Sequence, residues 1–92
     1  MEAKFIAAWQ KNRNAAALLG VRMRPVEADA LKQAKRILSG SRLSDGFNDL
    51  AARGQLKLSL EALVVSREFT QLFTDEEANE ALTRLLEAGY GF

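Results

Sequence analysis

The chain has 92 residues, with 13 lysines and arginines against 12 aspartates and glutamates, and neither histidine nor cysteine. That composition fits one small globular domain over residues 1–92 and excludes a disulfide framework, an ordinary zinc site and thiol or imidazole catalysis. No apolar run approaches the roughly 18 residues of a membrane span.

The net charge of +1 conceals a division. Residues 1–42 carry nine basic and three acidic residues, a balance of +6; residues 43–92 carry four basic and nine acidic, a balance of −5. Such asymmetry points either to partners of opposite sign or to two halves that attract each other within the fold.

In chain order, the first expected helix runs from about Ala3 to Leu19. Phe5, Ala8, Trp9, Ala16 and Leu19 fall near one face at spacings of three and four, although Asn12 interrupts the stripe. Gly20 is the expected stop. The segment is basic and alanine-rich like a transit peptide, but Glu2 and the value of Phe5 and Trp9 to a small core favour a structural helix. No secretory signal is visible, and the expected location is cytoplasmic.

Val21 to Arg24 form a connection. Pro25 suits the first turn of a second helix, where its missing N–H costs nothing, and that helix is expected to end near Ser39 with Gly40 beyond it. Val26, Ala30, Leu31, Ala34, Ile37 and Leu38 make its apolar stripe, and its wet face is basic. A third helix is expected from Asp45 to Arg53, with Ser44 as N-cap, Phe47, Leu50 and Ala51 facing inward, and Gly54 as the stop.

Residues 55–60 alternate polar and apolar but have no strand to pair with. They are expected to form an extended connector that packs Leu56 and Leu58 and leads into helix at Ser59 or Leu60. From Leu60 to Phe73 the apolar residues lose a single helical phase, which implies a break near Ser66 or Arg67 between two short helices. Thr74-Asp75-Glu76-Glu77 is a capping box, with Phe73 and Ala78 at the staple positions. It opens a last helix whose stripe is Ala78, Ala81, Leu82, Leu85 and Leu86 and whose stop is Gly89. The reading is all-α: a compact single-domain bundle of four or five short helices around Phe5, Trp9, Leu19, Leu31, Ile37, Leu38, Phe47, Leu50, Leu63, Leu72, Phe73, Leu82 and Leu85.

Catalysis is not expected. Glu76, Glu77 and Glu80 cluster, but acids belong in the first turns of a helix anyway. No phosphate loop, nucleophile elbow or acidic metal loop is present, and Gly40-Ser41-Arg42 is only a faint likeness of an anion-binding turn. No cofactor is expected.

Two binding readings stand. The first is a small non-enzymatic protein acting through protein–protein contacts, a regulator or inhibitor. Its surfaces would be the basic strip Arg22, Arg24, Lys32, Lys35, Arg36 and Arg42, the acidic patch Asp75, Glu76, Glu77 and Glu80, and the aromatic anchors Tyr90 and Phe92. Opposite patches on one molecule also favour self-association, as a homodimer for example. The alternative is a DNA-binding transcriptional regulator that lays the basic strip of residues 22–42 on phosphates. A helix-turn-helix over residues 26–53 would place Asp45, Asn48 and Asp49 on the outward face of its reading helix, with only Arg53 basic, which disfavours base recognition.

Overall fold

In the computed structural model, which describes residues 2–91, five α-helices are joined by short irregular segments, and no strand occurs among the described residues. They are α1 (Glu2–Leu18), α2 (Ala30–Ser39), α3 (Phe47–Ala52), α4 (Leu60–Val64) and α5 (Asp75–Glu87), with 3-10 turns at Leu56–Leu58 and Thr70–Leu72. The fold is all-α, as the sequence implies. Among the described residues, no helix is long and apolar enough to cross a membrane.

Helix ends follow local rules. At the end of α1 the Val21 N–H donates to the Ala16 carbonyl and the Gly20 N–H to that of Ala17, both at 3.0 Å. Gly20 sits at φ +82, where a Cβ would be strained. The same pair of bonds closes α3, from Gln55 to Leu50 and Gly54 to Ala51, and α5, from Tyr90 to Leu85 and Gly89 to Leu86. The capping box of α5 is complete: the Glu77 N–H reaches Thr74 Oγ1 at 3.1 Å, and the Thr74 N–H reaches Glu77 Oε1 at 2.8 Å.

Two helix starts depart from expectation. α2 begins at Ala30 rather than Pro25, and Gln33, a buried amide, ties down the segment before it. Its Oε1 accepts the Glu27 N–H at 2.8 Å and its Nε2 donates to the Pro25 carbonyl at 3.2 Å. These bonds give the Glu27 N–H and the Pro25 carbonyl a side-chain partner, with residues 25–27 outside the helix. α3 begins at Phe47, and its N-cap is Gly46, not Ser44. Gly46 has φ +77, and a Cβ there would lie 2.7 Å from Val21 Cγ1, so the position admits only glycine without movement. Ser44 turns inward instead.

Residues 56–58 wind into a 3-10 turn rather than an extended connector. Without a neighbouring strand, their backbone groups are satisfied locally: Leu58 N–H to Gln55 O and Ser59 N–H to Leu56 O, each 3.0 Å. Leu56 is buried there. Ser59 then caps α4 by accepting the Ala62 N–H. The break after α4 is present, but its second piece is only the 3-10 turn Thr70–Leu72.

The core has two lobes. In the larger one, Phe5 is fully buried and its ring meets those of Trp9, Phe69 and Phe73 at centroid distances of 5.7, 5.4 and 5.5 Å, the last two edge-on. Ala30, Ala34, Leu38, Leu60, Val64 and Ala81 complete it from α2, α4 and α5. The smaller lobe joins Ala16, Val21, Phe47, Leu50, Leu56 and Leu85, and Met23 and Val65 pack against both. Leu19 and Leu86, expected inside, are 38% and 56% exposed. Leu31, Ile37, Leu72 and Leu82 are half-buried.

A buried ionic cluster ties these elements together. Glu61 on α4 is fully buried and Arg84 on α5 is 6% exposed. Glu61 Oε2 accepts from Arg84 at 3.1 Å and from the Ser44 N–H at 3.2 Å, while Oε1 accepts the Ser44 hydroxyl at 2.5 Å. Arg84 also bonds Glu80 at 2.6 Å and donates to the carbonyls of Ile37, Leu38 and Gly40 at the end of α2.

Removing one partner of such a pair strands the other charge. Arg84→Met is expected to cost about 3–5 kcal/mol. Glu61→Gln should cost less, since its amide oxygen still accepts from Ser44 and Glu80 still balances Arg84. Urea unfolding of the two variants checks this, and equal losses would contradict it. In the same assay Gly54→Ala, with open space around its Cβ, should cost about 1–2 kcal/mol for its left-handed backbone. Gly46→Ala should cost more, because steric overlap is added.

Candidate functional site

The basic strip is largely engaged within the fold. Arg24 Nε meets Asp45 at 3.1 Å, Lys32 meets Asp29 at 3.7 Å, Lys35 meets Glu77 at 2.7 Å and Arg36 meets Glu27 at 3.4 Å. Arg22 and Arg42 are exposed and have no carboxylate partner among the described residues. Two of these pairs, Arg24–Asp45 and Lys35–Glu77, join the basic half of the chain to the acidic half. The asymmetry seen in the sequence is therefore partly consumed inside the molecule.

The acidic patch divides in the same way. Asp75 and Glu76 are exposed. Glu77 is held by Lys35 and Thr74, and Glu80 by Arg84. Lys35 Nζ also stands 5.4 Å from the centre of the Phe73 ring, a cation–π contact. Tyr90 is half-buried and packs against the smaller core lobe. Phe92 lies outside the described residues.

What the structure brings together is a cleft of about 460 Å³ between α2, the loop before it and the loop after it. Trp9, Met23, Ile37, Leu43 and Leu60 supply its apolar surface. Three members of the basic strip, Arg24, Arg36 and Arg42, line it from three separate segments, with Glu27 and Asp45 beside them. Lys32, Lys35 and Arg22 do not line it. Trp9 belongs both to the core and to the cleft.

The loop Gly40–Asp45 forms one wall, and the buried ionic cluster fixes it at both ends. Arg84 holds the Gly40 carbonyl at 3.0 Å, and Glu61 holds the Ser44 N–H and hydroxyl. Asp45 adds a third tie by accepting the Arg24 N–H at 3.2 Å. Between these anchors, Leu43 is 39% exposed.

Three of the six residues of the basic strip read from sequence thus lie on the cleft. The apolar residues were missed as site residues. Trp9 and Ile37 fall on helix stripes and read as core, and Leu43 stands alone in a polar loop with no periodicity to mark it. No family model, curated protein or solved structure matches the chain.

Outside the cleft, the Glu77 carboxyl is pulled in two directions. Burial raises its pKa, but the Lys35 ammonium and the Thr74 N–H and hydroxyl outweigh that and leave it below the ordinary value of 4.5. A carboxylate with a lowered folded pKa contributes stability above its unfolded pKa and loses it as pH falls through the folded one. Glu77→Gln, which keeps a side chain able to close the capping box, should therefore lower the urea midpoint at pH 7. The gap from the wild-type protein should narrow well below pH 4.5. A gap of the same size at pH 7 and in strong acid would refute this assignment.

Proposed function

We propose that this chain is a non-enzymatic binding protein that acts through protein–protein contacts, a small regulator or inhibitor, and that the cleft beside the Gly40–Asp45 loop is where its partner docks. The observation that carries this reading is the combination found there: an apolar surface with an exposed leucine, next to several charged side chains, in a concavity of about 460 Å³. Binding sites of this kind pair apolar burial with a few polar groups that fix orientation. The volume lies within the roughly 300–1,000 Å³ common for ligand pockets. It is suited to one or a few side chains of a partner segment rather than to a broad flat interface.

The DNA-binding alternative needs a row of available cations, because phosphate recognition is charge neutralisation. Lys35 is held by the half-buried Glu77, Arg22 and Lys32 lie outside the cleft, and the apolar surface between Arg24, Arg36 and Arg42 has no counterpart in a phosphate backbone. Protein contact is the reading these features favour.

Selection of a displayed random-peptide library on the folded protein tests it. Leu43 is exposed enough to change without disturbing the core, so Leu43→Asp serves as the counter-selection. Peptides should be enriched on the wild-type protein and lost on Leu43→Asp. No enrichment, or enrichment indifferent to Leu43, would overturn the proposal.

A further inference from the structure

The cleft carries a chemical preference that goes beyond its being a docking site. No hydrogen bond among the described residues uses the N–H groups of Ser41, Arg42 or Leu43, nor the Ser41 hydroxyl. All three residues line the cleft, and the Arg42 guanidinium has no carboxylate partner there. This run of donors without acceptors is held in place by the ties at Gly40 and Ser44 described above. It lies beside the apolar surface of Ile37, Leu43, Leu60 and Trp9.

The other two arginines are only lightly committed. In the Arg24–Asp45 pair the side chains are 82% and 42% exposed, and in the Arg36–Glu27 pair 63% and 58%. Ion pairs this exposed contribute about 0–1 kcal/mol, so an incoming carboxylate could exchange with Glu27 or Asp45 at little cost. The cleft already holds carboxylates on two of its three arginines, Arg24 and Arg36.

We infer that the cleft recognises an acidic peptide segment: an apolar side chain seated against Ile37, Leu43 and Leu60, with carboxylates of the same segment held by Arg42 and the donors of residues 41–43, and by Arg24 and Arg36 in exchange for Asp45 and Glu27. This rests on the docking role proposed above and adds the chemistry of the partner. The three arginines stand on three separate segments around one apolar surface. Carboxylates spaced along a chain match that arrangement, whereas a lone carboxylate engages one arginine at a time.

The test uses three probes: a short peptide with aspartates flanking a central phenylalanine, the same peptide with lysines in place of the aspartates, and benzoate. Trp9 is the only tryptophan of the chain and lines the cleft, so its emission reports occupancy, with titration calorimetry as a second readout. A duplex DNA is titrated in parallel. The acidic peptide is expected to bind saturably in the micromolar range, and the lysine peptide and the duplex not to bind. Benzoate should bind far more weakly than the acidic peptide.

Arg42→Ala, a change at an exposed side chain with no partner among the described residues, should weaken the acidic peptide about tenfold, as loss of a charged hydrogen bond does. Glu27→Gln should strengthen it about two- to fivefold by releasing Arg36, an effect that a purely structural role for Glu27 would not produce. Absence of binding by the acidic peptide, equal binding by the lysine peptide, binding by benzoate as tight as by the peptide, or indifference to Arg42→Ala would each overturn the inference. Basic or neutral peptides emerging from the display selection would overturn it too while leaving the docking role intact. An empty selection would remove both.

Discussion

The guanidinium of Arg84 is the point through which most of this fold is connected. It lies almost out of contact with water, on the last helix, and reaches α4 through Glu61 and the end of α2 through three carbonyls. Burying such a pair costs several kcal/mol per ion, and mutual attraction offsets that only when the remaining donors and acceptors are also satisfied. Here they are: no buried side-chain nitrogen or oxygen among the described residues lacks a partner. Two of the carbonyls it meets, those of Ile37 and Leu38, lie in the last turn of α2 and the third, of Gly40, just beyond it, at the negative end of the helix dipole, where a cation is favoured. An apolar pair of similar volume could fill the same space, but it could not accept from Ser44 or close α2. The cluster thereby selects one arrangement of α2, α4 and α5 over others with equally good apolar packing.

That selection reaches the surface through the Gly40–Asp45 loop. With Arg84 on its first carbonyl and Glu61 on Ser44, the loop is held at both ends by side chains from other helices. Its middle is left to face the cleft with unused donors and an exposed leucine. A loop this short, tied this way, has little conformational entropy left to lose. The aromatic group around Phe5 supports the same cleft from below, because Trp9 belongs to both.

The division of charge along the chain acquires a different meaning in three dimensions. The basic first half and the acidic second half meet at Arg24–Asp45 and Lys35–Glu77. Other basic residues find acids close by in sequence. The exposed pairs, Arg24–Asp45, Lys32–Asp29 and Arg36–Glu27, contribute little to stability, but all these pairs decide which charges an outside molecule meets first. Within the basic strip those are Arg22 and Arg42, and within the acidic patch Asp75 and Glu76.

The sequence by itself determined what depends on neighbours within a few residues. The stops at Gly20, Gly54 and Gly89, the Thr74–Glu77 box and the break after α4 follow from backbone groups that must be satisfied nearby, and residue types announce them. The tertiary structure decided everything that depends on a partner far along the chain. Pro25 lies outside α2 with its carbonyl held by Gln33, and Ser44 is not the N-cap of α3 but gives its hydroxyl to Glu61. Glu61 and Arg84 read as ordinary surface charges, 23 positions apart, until the fold buries them together. The cleft follows the same logic. Arg24, Arg36 and Arg42 stood out as charges, but only the packing of α2 against its flanking loops set them around one apolar surface. Hydrophobic periodicity marks which face of a helix is buried; it carries no signal for a concavity assembled from loop residues on separate segments.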